Sequence, residues 1–191
     1  SWYRKRYGVE FSRTSIIPTT GVVPAISSIL QGLCLPGDEV IIQTPAYNCF
    51  FSSVRNSGLV LSENALKLVN GRWEIDFEDL EERASREKAR ALLFCNPQNP
   101  TGRVWTRDEL TRVAEICEKH GIFLISDEIH GELTAEGFRY TPLASVSPWA
   151  KDHVITASAA SKAFNIAGLQ TAYIIAPVAE ARNRIDRQIN I

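Results

Sequence analysis

The chain has 191 residues, of which 45% are hydrophobic and 23% are charged, and this composition suits one globular domain with a substantial core. Its net charge is −1 at pH 7, so bulk electrostatics give no reason to expect a nucleic acid or an anionic membrane as a partner. No apolar run exceeds five residues, which is too short to cross a bilayer.

The first eight residues have the pattern of a helix end, with Gly8 as its stop, and the chain contains no Met. We therefore expect the sequence to be a piece of a longer protein. No secretory signal is present at its start, which fits a cytoplasmic protein.

Apolar runs typical of strands alternate with amphipathic stretches typical of helices. The predicted strands are 15–19, 40–44, 60–62, 91–95, 123–126, 154–157 and 171–175. Such alternation predicts an α/β fold, with a mostly parallel seven-stranded sheet flanked by helices.

Three of the predicted helices have clear boundaries. Pro24 begins the first, which places Ile26, Ile29, Leu30 and Leu33 on one face. Asp76 caps the second. The third begins with the capping box of Thr106 and Glu109 and ends at Gly121. No repeat or flexible linker interrupts the chain, so we expect one compact domain.

The four cysteines have no C-x-x-C spacing, and two of them lie in strongly apolar stretches. Reduced thiols in a cytosolic protein are expected rather than disulfides. No second His or Cys lies at ligand spacing from His130, so we predict no metal site.

Polar residues follow directly on several predicted strands. Thr19-Thr20-Gly21 precedes a helix, and free N–H groups at a helix start favour an anion such as phosphate, although a plain strand–helix turn has the same pattern. Thr44-Pro45-Ala46-Tyr47 follows the next strand. Tyr47 can stack on a planar ring, or it can be an ordinary core aromatic.

The sequence NPQNPTG at residues 96–102 follows a third strand. Its prolines and glycine predict a rigid turn that can hold the Asn99 amide over a ligand oxygen. Asp127 ends a fourth, buried strand, where a carboxylate needs a cation or a donor to compensate it. The alternative for Asp127 is a helix cap, and for His130, three residues on, an ordinary polar contact.

Lys162 lies just past the strand 154–157 in the sequence SAASKAFN. This position predicts a desolvated lysine that forms a Schiff base with an aldehyde cofactor, and the alternative is a surface lysine that opens a helix. Ligands of parallel α/β sheets lie at the carboxyl ends of the strands. Lysine, aspartate and asparagine converging at one such edge suggest pyridoxal 5'-phosphate (PLP).

Taken in order, T-x-G, P-x-Y, N-P-x-N-P-T-G, D-E-I-H and S-K-x-F-N resemble the large domain of fold-type I PLP enzymes of the class I/II aminotransferase family. Within it, D-E-I-H and SKAFNIAGLQ are most similar to the MalY/PatB branch of cystathionine β-lyase-like C–S lyases. The resemblance covers nearly the whole chain, 1–191, as a large-domain fragment without the N-terminal segment and the C-terminal small domain.

The resemblance implies a role for eight residues. Lys162 is the Schiff-base lysine and Asp127 the partner of the ring nitrogen. The remaining expected cofactor contacts are Gly21, Val22, Tyr47, Asn99, His130 and Ser161. It also implies a homodimer for the full-length protein, with an amino acid as substrate.

Three positions depart from many aminotransferases of the family. His130 stands where they carry Tyr, Ala159 where they carry a phosphate-binding Ser, and Gln170 where they carry Arg. We therefore expect backbone donors, and groups outside this chain, to hold more of the phosphate.

The leading hypothesis is a PLP-dependent C–S β-lyase that cleaves cystathionine or related cysteine S-conjugates to thiol, pyruvate and ammonia. A PLP-dependent aminotransferase would use all the same residues. From another class, the cofactor-binding domain of a transcription regulator uses the same fold, and a DNA-binding domain in the full reading frame would identify it.

Overall fold

A computed structural model describes residues 2–190. Helices and strands alternate through most of the chain. The helices are α1 (Trp2–Tyr7), α2 (Val22–Leu33), α3 (Asn48–Asn56), α4 (Phe77–Ala84), α5 (Arg107–His120), α6 (Pro148–His153) and α7 (Ala179–Ile189). The strands are β1 (Ile16–Thr19), β2 (Glu39–Thr44), β3 (Val60–Ala65), β4 (Lys67–Val69), β5 (Arg72–Glu74), β6 (Ala89–Cys95), β7 (Phe123–Asp127), β8 (Ile155–Ser158) and β9 (Ala172–Ile175).

The main sheet has seven strands in the order β1-β9-β8-β7-β6-β2-β3. Neighbours from β8 to β3 pair in parallel. Strand β9 runs antiparallel to both of its neighbours, β1 and β8, so β1 has the direction of the parallel strands. The predicted mostly parallel seven-stranded sheet is confirmed, and its parallel strands end at one common edge.

Both faces of the sheet are covered, which explains why its central strands are continuous apolar runs. One apolar cluster joins the sheet to α2, α3 and α7, and the other joins it to α4, α5 and α6. Within β6, Ala91–Phe94 is fully buried. All seven predicted strands are present, and each of their ends either coincides with the prediction or differs from it by up to three residues.

Two local features differ from the sequence prediction. The two-stranded hairpin of β4 and β5 was not predicted, because three-residue strands are too short to show a period. Helix α2 begins at Val22, two residues before the predicted start at Pro24, since proline is tolerated throughout the first helical turn.

Several local predictions are confirmed. Asp76 caps α4, and α1 ends before Gly8, which has a positive φ of 70°. The four cysteines are free thiols, and three of them are buried. No helix within residues 2–190 is long and apolar enough to cross a membrane.

The family resemblance also suggests cis peptide bonds at Thr44-Pro45 and Asn99-Pro100. Both are cis in the structure, and Asn96-Pro97 is cis as well. All three lie in turns at the carboxyl edge of the sheet.

Helix α5 begins with the predicted capping box. The Thr106 hydroxyl accepts a hydrogen bond from the Glu109 N–H at 3.2 Å, and the Glu109 carboxylate accepts one from the Thr106 N–H at 2.7 Å. The αL residue Gly121 ends the helix. Both ends of α5 therefore have partners for backbone groups that a helix leaves unpaired.

We expect Thr106→Ala to lower the free energy of unfolding by about 1 kcal/mol, because it removes the acceptor of the first helical turn. Thr111→Ala is the matched control: its hydroxyl bonds the Arg107 carbonyl within the same helix, where alanine is the better helix former. Denaturant unfolding measures both. Equal losses in the two variants would contradict the role of the cap.

Candidate active site

The loops that follow β1, β2, β6, β7 and β8 meet at the carboxyl edge of the sheet, because these five strands share one direction. They carry all eight residues that the sequence predicts for a cofactor site.

Asp127 ends β7 and lies between the ends of two other strands. Its register partners are Cys95 of β6 and Ala157 of β8, and only 6% of the residue is exposed. Burial raises the pKa of this carboxyl to about 7, and the charge of Glu128 adds to the rise. The aspartate is therefore held in a dry position where its negative charge is costly.

The Asp127 carboxylate has little compensation from the protein. Its Oδ1 atom accepts a hydrogen bond from the Ile129 N–H at 3.1 Å, and no helix follows that it could cap. None of the ion pairs within residues 2–190 includes it. The carboxylate can therefore accept a bond from a cationic donor supplied by a ligand.

The 96–102 turn is fixed by hydrogen bonds that its own side chains make. The Gln98 amide donates to the Pro45 carbonyl at 2.8 Å, which ties this turn to the one after β2. The Gln98 side-chain oxygen accepts from the Thr101 N–H at 2.9 Å. Asn99 is half-buried on this turn, and its contact with a ligand stays a prediction.

Asn99 and His130 line the same cavity, which has a volume of about 410 Å³. Burial lowers the pKa of His130, and the positive charge of Lys162 lowers it further. The His130 ring is therefore neutral near pH 7 and has one N–H to donate.

Tyr47 immediately precedes α3 and is 42% exposed. A hydrogen bond with the Cys49 thiol is the main reason why its pKa is raised, and the negative charge of Asp127 contributes as well. Tyr47 is therefore an exposed ring on the loop that follows β2. Its exposure is inconsistent with the alternative that it is an ordinary core aromatic.

Gly21 and Val22 form the start of α2. Gly21 has no side chain to cap the helix, and no side-chain hydrogen bond reaches its first turn. The N–H groups of that turn are therefore available to an anion. The backbone N–H groups at the predicted phosphate position are therefore not used by a side-chain cap.

Ser161 and Lys162 lie in an irregular turn after β8 that holds no helix. The Phe164 N–H donates to the Ala160 carbonyl at 3.0 Å, and the Ile166 N–H to the Ser161 carbonyl at 3.1 Å. The expectation of a desolvated lysine is wrong for this structure, because Lys162 is exposed. The turn contacts α1 through Phe164, whose ring lies edge-on to the ring of Trp2 with the two centroids 6.4 Å apart.

The departures from the family pattern fall in the same region. Ala159 is buried and offers no hydroxyl, while Gln170 lies in a left-handed turn with a φ of 47°. In place of the Ser and Arg of the family pattern, this part of the chain has backbone N–H groups, the Ser161 hydroxyl and the Gln170 side-chain amide as neutral donors for a phosphate.

Two contacts at the site were not predicted from the sequence. One is the Cys49 thiol beside Tyr47. The other is a buried hydrogen-bond network around Glu128, which includes Tyr140. The Asp-Glu pair at the end of a strand is visible in the sequence, but nothing marks a tyrosine 12 residues later as its partner.

A second cavity of about 420 Å³ lies against α1 and the 158–164 turn. Aromatic residues dominate its wall, among them Trp2, Tyr3, Tyr7, Phe11 and Phe164. It contains none of the eight predicted site residues, so its apolar character gives no argument about the cofactor.

Comparison with known proteins identifies one matching family model, "Aminotransferase class I and II", over residues 1–190. Cystathionine beta-lyase PatB of Bacillus subtilis is 42% identical over 176 residues, which cover 92% of this chain and 46% of that protein. Protein MalY of Escherichia coli is 31% identical over 184 residues, which cover 95% and 46% of the two chains. Kynurenine–oxoglutarate transaminase 3 of rat also matches, at 33% identity over 170 residues, which cover 85% of this chain and 37% of that protein.

Among solved structures, cystalysin of Treponema denticola, which contains a pyridoxal 5'-phosphate cofactor, superposes with a TM-score of 0.95 at 38% identity. The match covers 98% of this chain and 48% of that one. The chain thus spans about half the length of the relatives that it matches.

We expect Asp127→Asn to change how stability depends on pH. The folded protein keeps the Asp127 proton up to about pH 7, whereas the unfolded chain releases it near 3.8, so the free energy of unfolding falls as pH rises through this window. The asparagine variant lacks this loss. The free energy of unfolding of Asp127→Asn should therefore exceed that of the parent by near zero at pH 4 and by as much as about 4 kcal/mol at pH 8.

Denaturant unfolding of the cofactor-free protein between pH 4 and pH 8 measures this effect. Asp76→Asn is the control with the opposite sign, because a hydrogen bond from Lys67 lowers the pKa of Asp76. The stability that Asp76 contributes is present above its unfolded pKa and is lost as pH falls. Parallel profiles for Asp127→Asn and the parent would contradict the assignment.

Proposed function

The chain belongs to the aminotransferase class I and II family, and on this premise we propose that the whole protein is a PLP-dependent C–S β-lyase. Its substrate is cystathionine or a related cysteine S-conjugate, and its products are a thiol, pyruvate and ammonia. The relatives named cystathionine beta-lyase PatB and Protein MalY support this choice of reaction.

One observation carries the proposal, namely the buried and nearly uncompensated carboxylate of Asp127. It is 6% exposed, accepts one backbone hydrogen bond and belongs to no ion pair of the described residues. A protonated pyridine nitrogen is a cationic donor of the kind that such a carboxylate lacks. The site therefore fits PLP with its ring nitrogen at Asp127.

The other site residues suit the remaining parts of the same cofactor. We assign the phenolic oxygen to the Asn99 amide and to the neutral His130 ring, and one face of the pyridine ring to Tyr47. The phosphate is assigned to the N–H groups at Gly21 and Val22, and to Ser161, which together hold an anion at a helix start. Lys162 provides the amine that holds the cofactor aldehyde.

When bound, PLP supplies an aldehyde for amines and a ring that takes up electron density from the α-carbon of the substrate. Lys162 Nζ accepts the proton that leaves this α-carbon and then holds it close to the departing sulfur. The ionised Asp127 carboxylate would keep the ring nitrogen protonated, because the two opposite charges stabilise each other. Tyr47 and Asn99 orient the cofactor between them.

An aminotransferase is the second candidate, and the match to kynurenine–oxoglutarate transaminase 3 supports it. It needs the same groups at the same positions. The difference is where Lys162 Nζ returns its proton: to the leaving sulfur in the lyase, or to the cofactor in the transaminase.

The proposal extends to the architecture of the whole protein. Residues 1–191 form its PLP-binding large domain, and an N-terminal segment and a C-terminal small domain complete the site. A cytoplasmic homodimer is part of the proposal, and four free cysteines suit a reducing compartment.

The deciding experiment supplies the full-length protein with PLP and cystathionine. We expect stoichiometric pyruvate, ammonia and free thiol, with much slower exchange of the amino group onto added keto acids. Amino-group exchange without pyruvate would overturn the lyase in favour of the transaminase.

Lys162 should be the residue that carries the cofactor. Borohydride reduction of the PLP-loaded full-length protein, followed by peptide mapping, should find the pyridoxyl group on Lys162, because this lysine follows β8, the strand that pairs with the Asp127 strand β7. Lys162→Ala should lose the label. A label on Lys151 or Lys119, which are exposed on helices away from the sheet edge, would refute the assignment.

Asp127→Asn should reduce turnover by more than a hundredfold, and Asp127→Glu should reduce it far less. Removal of one partner of a buried ion pair typically costs about 3–5 kcal/mol, and asparagine cannot balance a protonated ring nitrogen. Steady-state kinetics at saturating PLP measure the difference. Near-normal turnover of Asp127→Asn would refute the ion pair.

A further inference from the structure

Glu128 is a second buried carboxylate at the end of β7, and its hydrogen bonds connect three segments of the chain. Only 2% of the residue is exposed. Its Oε1 atom accepts bonds from the Ser126 hydroxyl at 2.9 Å, the Leu143 N–H at 2.9 Å and the Asn96 amide at 3.4 Å. The Tyr140 hydroxyl donates to Oε2.

Asn96 links this network to the 96–102 turn. Its side-chain amide also donates to the Thr141 carbonyl at 2.9 Å, in the segment that Glu128 holds at Tyr140 and Leu143. Its backbone N–H donates to the Asp127 carbonyl at 2.9 Å. Glu128 thus contacts Asn96 directly, and it also bonds to the 140–143 segment, whose Thr141 carbonyl accepts the second bond from the Asn96 amide.

The turn transmits the position of Asn96 to Asn99 because it is rigid. Gln98 holds it with bonds to the Pro45 carbonyl and to the Thr101 N–H. A shift of Asn96 therefore moves the turn as a unit relative to Asp127, and the Asn99 amide moves with it.

We propose that Glu128 is a positioning residue that sets the Asn99 amide at its correct place relative to Asp127, and that it thereby increases the affinity for PLP. The inference rests on the proposed function, in which Asn99 donates to the phenolic oxygen of the cofactor. Glu128 itself has no contact with the cofactor and acts through Asn96.

The test is a double-mutant cycle between Glu128→Ala and Asn99→Ala in the full-length protein, with the dissociation constant of PLP measured by absorbance titration of the cofactor-free form. Outer-shell partners of binding side chains typically matter 10–100-fold, so we expect Glu128→Ala alone to weaken PLP binding about tenfold. In the Asn99→Ala background, Glu128→Ala should weaken PLP binding less than about twofold, because the amide that Glu128 positions is already absent.

A PLP analogue without the phenolic oxygen gives an independent readout. Its affinity should be the same for the parent and for Glu128→Ala, since the contact that Glu128 positions is absent. Glu132→Ala is the matched control: this carboxylate lies on the same loop but accepts bonds from Trp2, Arg6 and Tyr7 of α1. It should leave PLP affinity unchanged.

Purely structural damage gives a different result. If Glu128→Ala weakens PLP binding equally with and without Asn99, or weakens binding of the analogue as much as that of PLP, the positioning role is refuted and the proposed function stands. If Asn99→Ala leaves PLP affinity unchanged, the assigned role of Asn99 fails and the inference fails with it. Glu128→Asp, which shortens the side chain by one methylene, replaces Glu128→Ala in the cycle if the alanine variant does not fold.

Discussion

Burying a carboxylate without a cation costs free energy. Asp127 is such a carboxylate, and it lies at the edge of the sheet where the parallel strands end. Its backbone is fixed on both sides by neighbouring strands, since Cys95 and Ala157 lie beside it in register. This pairing holds the residue in a position where only 6% of it is exposed. A fold that keeps an acid in this position loses stability in the cofactor-free state and recovers it when a cation binds.

The same constraint explains why the loops around Asp127 are rigid. A mobile loop would admit water, and water would compensate the carboxylate and weaken its preference for a cationic ligand. Gln98 ties the 96–102 turn to the turn after β2, and Glu128 ties it to the segment 140–143. These hydrogen bonds stabilise the polar loops where no apolar core can do so.

The sequence predicts the sheet well because each central strand is a continuous apolar run followed at once by polar residues. This pattern fixes both the strand and its direction, and five strands with a common direction bring their loops to one edge. The hairpin of β4 and β5 escapes prediction since its strands have three residues each. Lys162 is predicted in the correct loop but not with the correct exposure, because exposure depends on what covers the loop and not on the loop itself.

The network around Glu128 marks the limit of prediction for the site. An acid next to Asp127 is visible in the sequence, but its partners come from three segments that only the tertiary structure brings together. Sequence motifs find residues that contact a ligand, because the ligand imposes a residue type at each contact. Residues that position those contacts need only form compatible hydrogen bonds with each other, so no fixed residue type marks them in the sequence.

The choice between β-elimination and transamination illustrates a related limit. In the proposed function, both reactions begin when Lys162 takes a proton from the α-carbon, and both need Asp127 to keep the ring nitrogen protonated. They diverge at the atom that receives this proton next, which depends on where the substrate sulfur lies relative to Lys162 Nζ. Under the proposed function, this distance depends on the groups that enclose the substrate over the exposed Lys162. In this proposal the residues of the large domain supply the chemistry that the two reactions share, and the surfaces that enclose the substrate select the outcome.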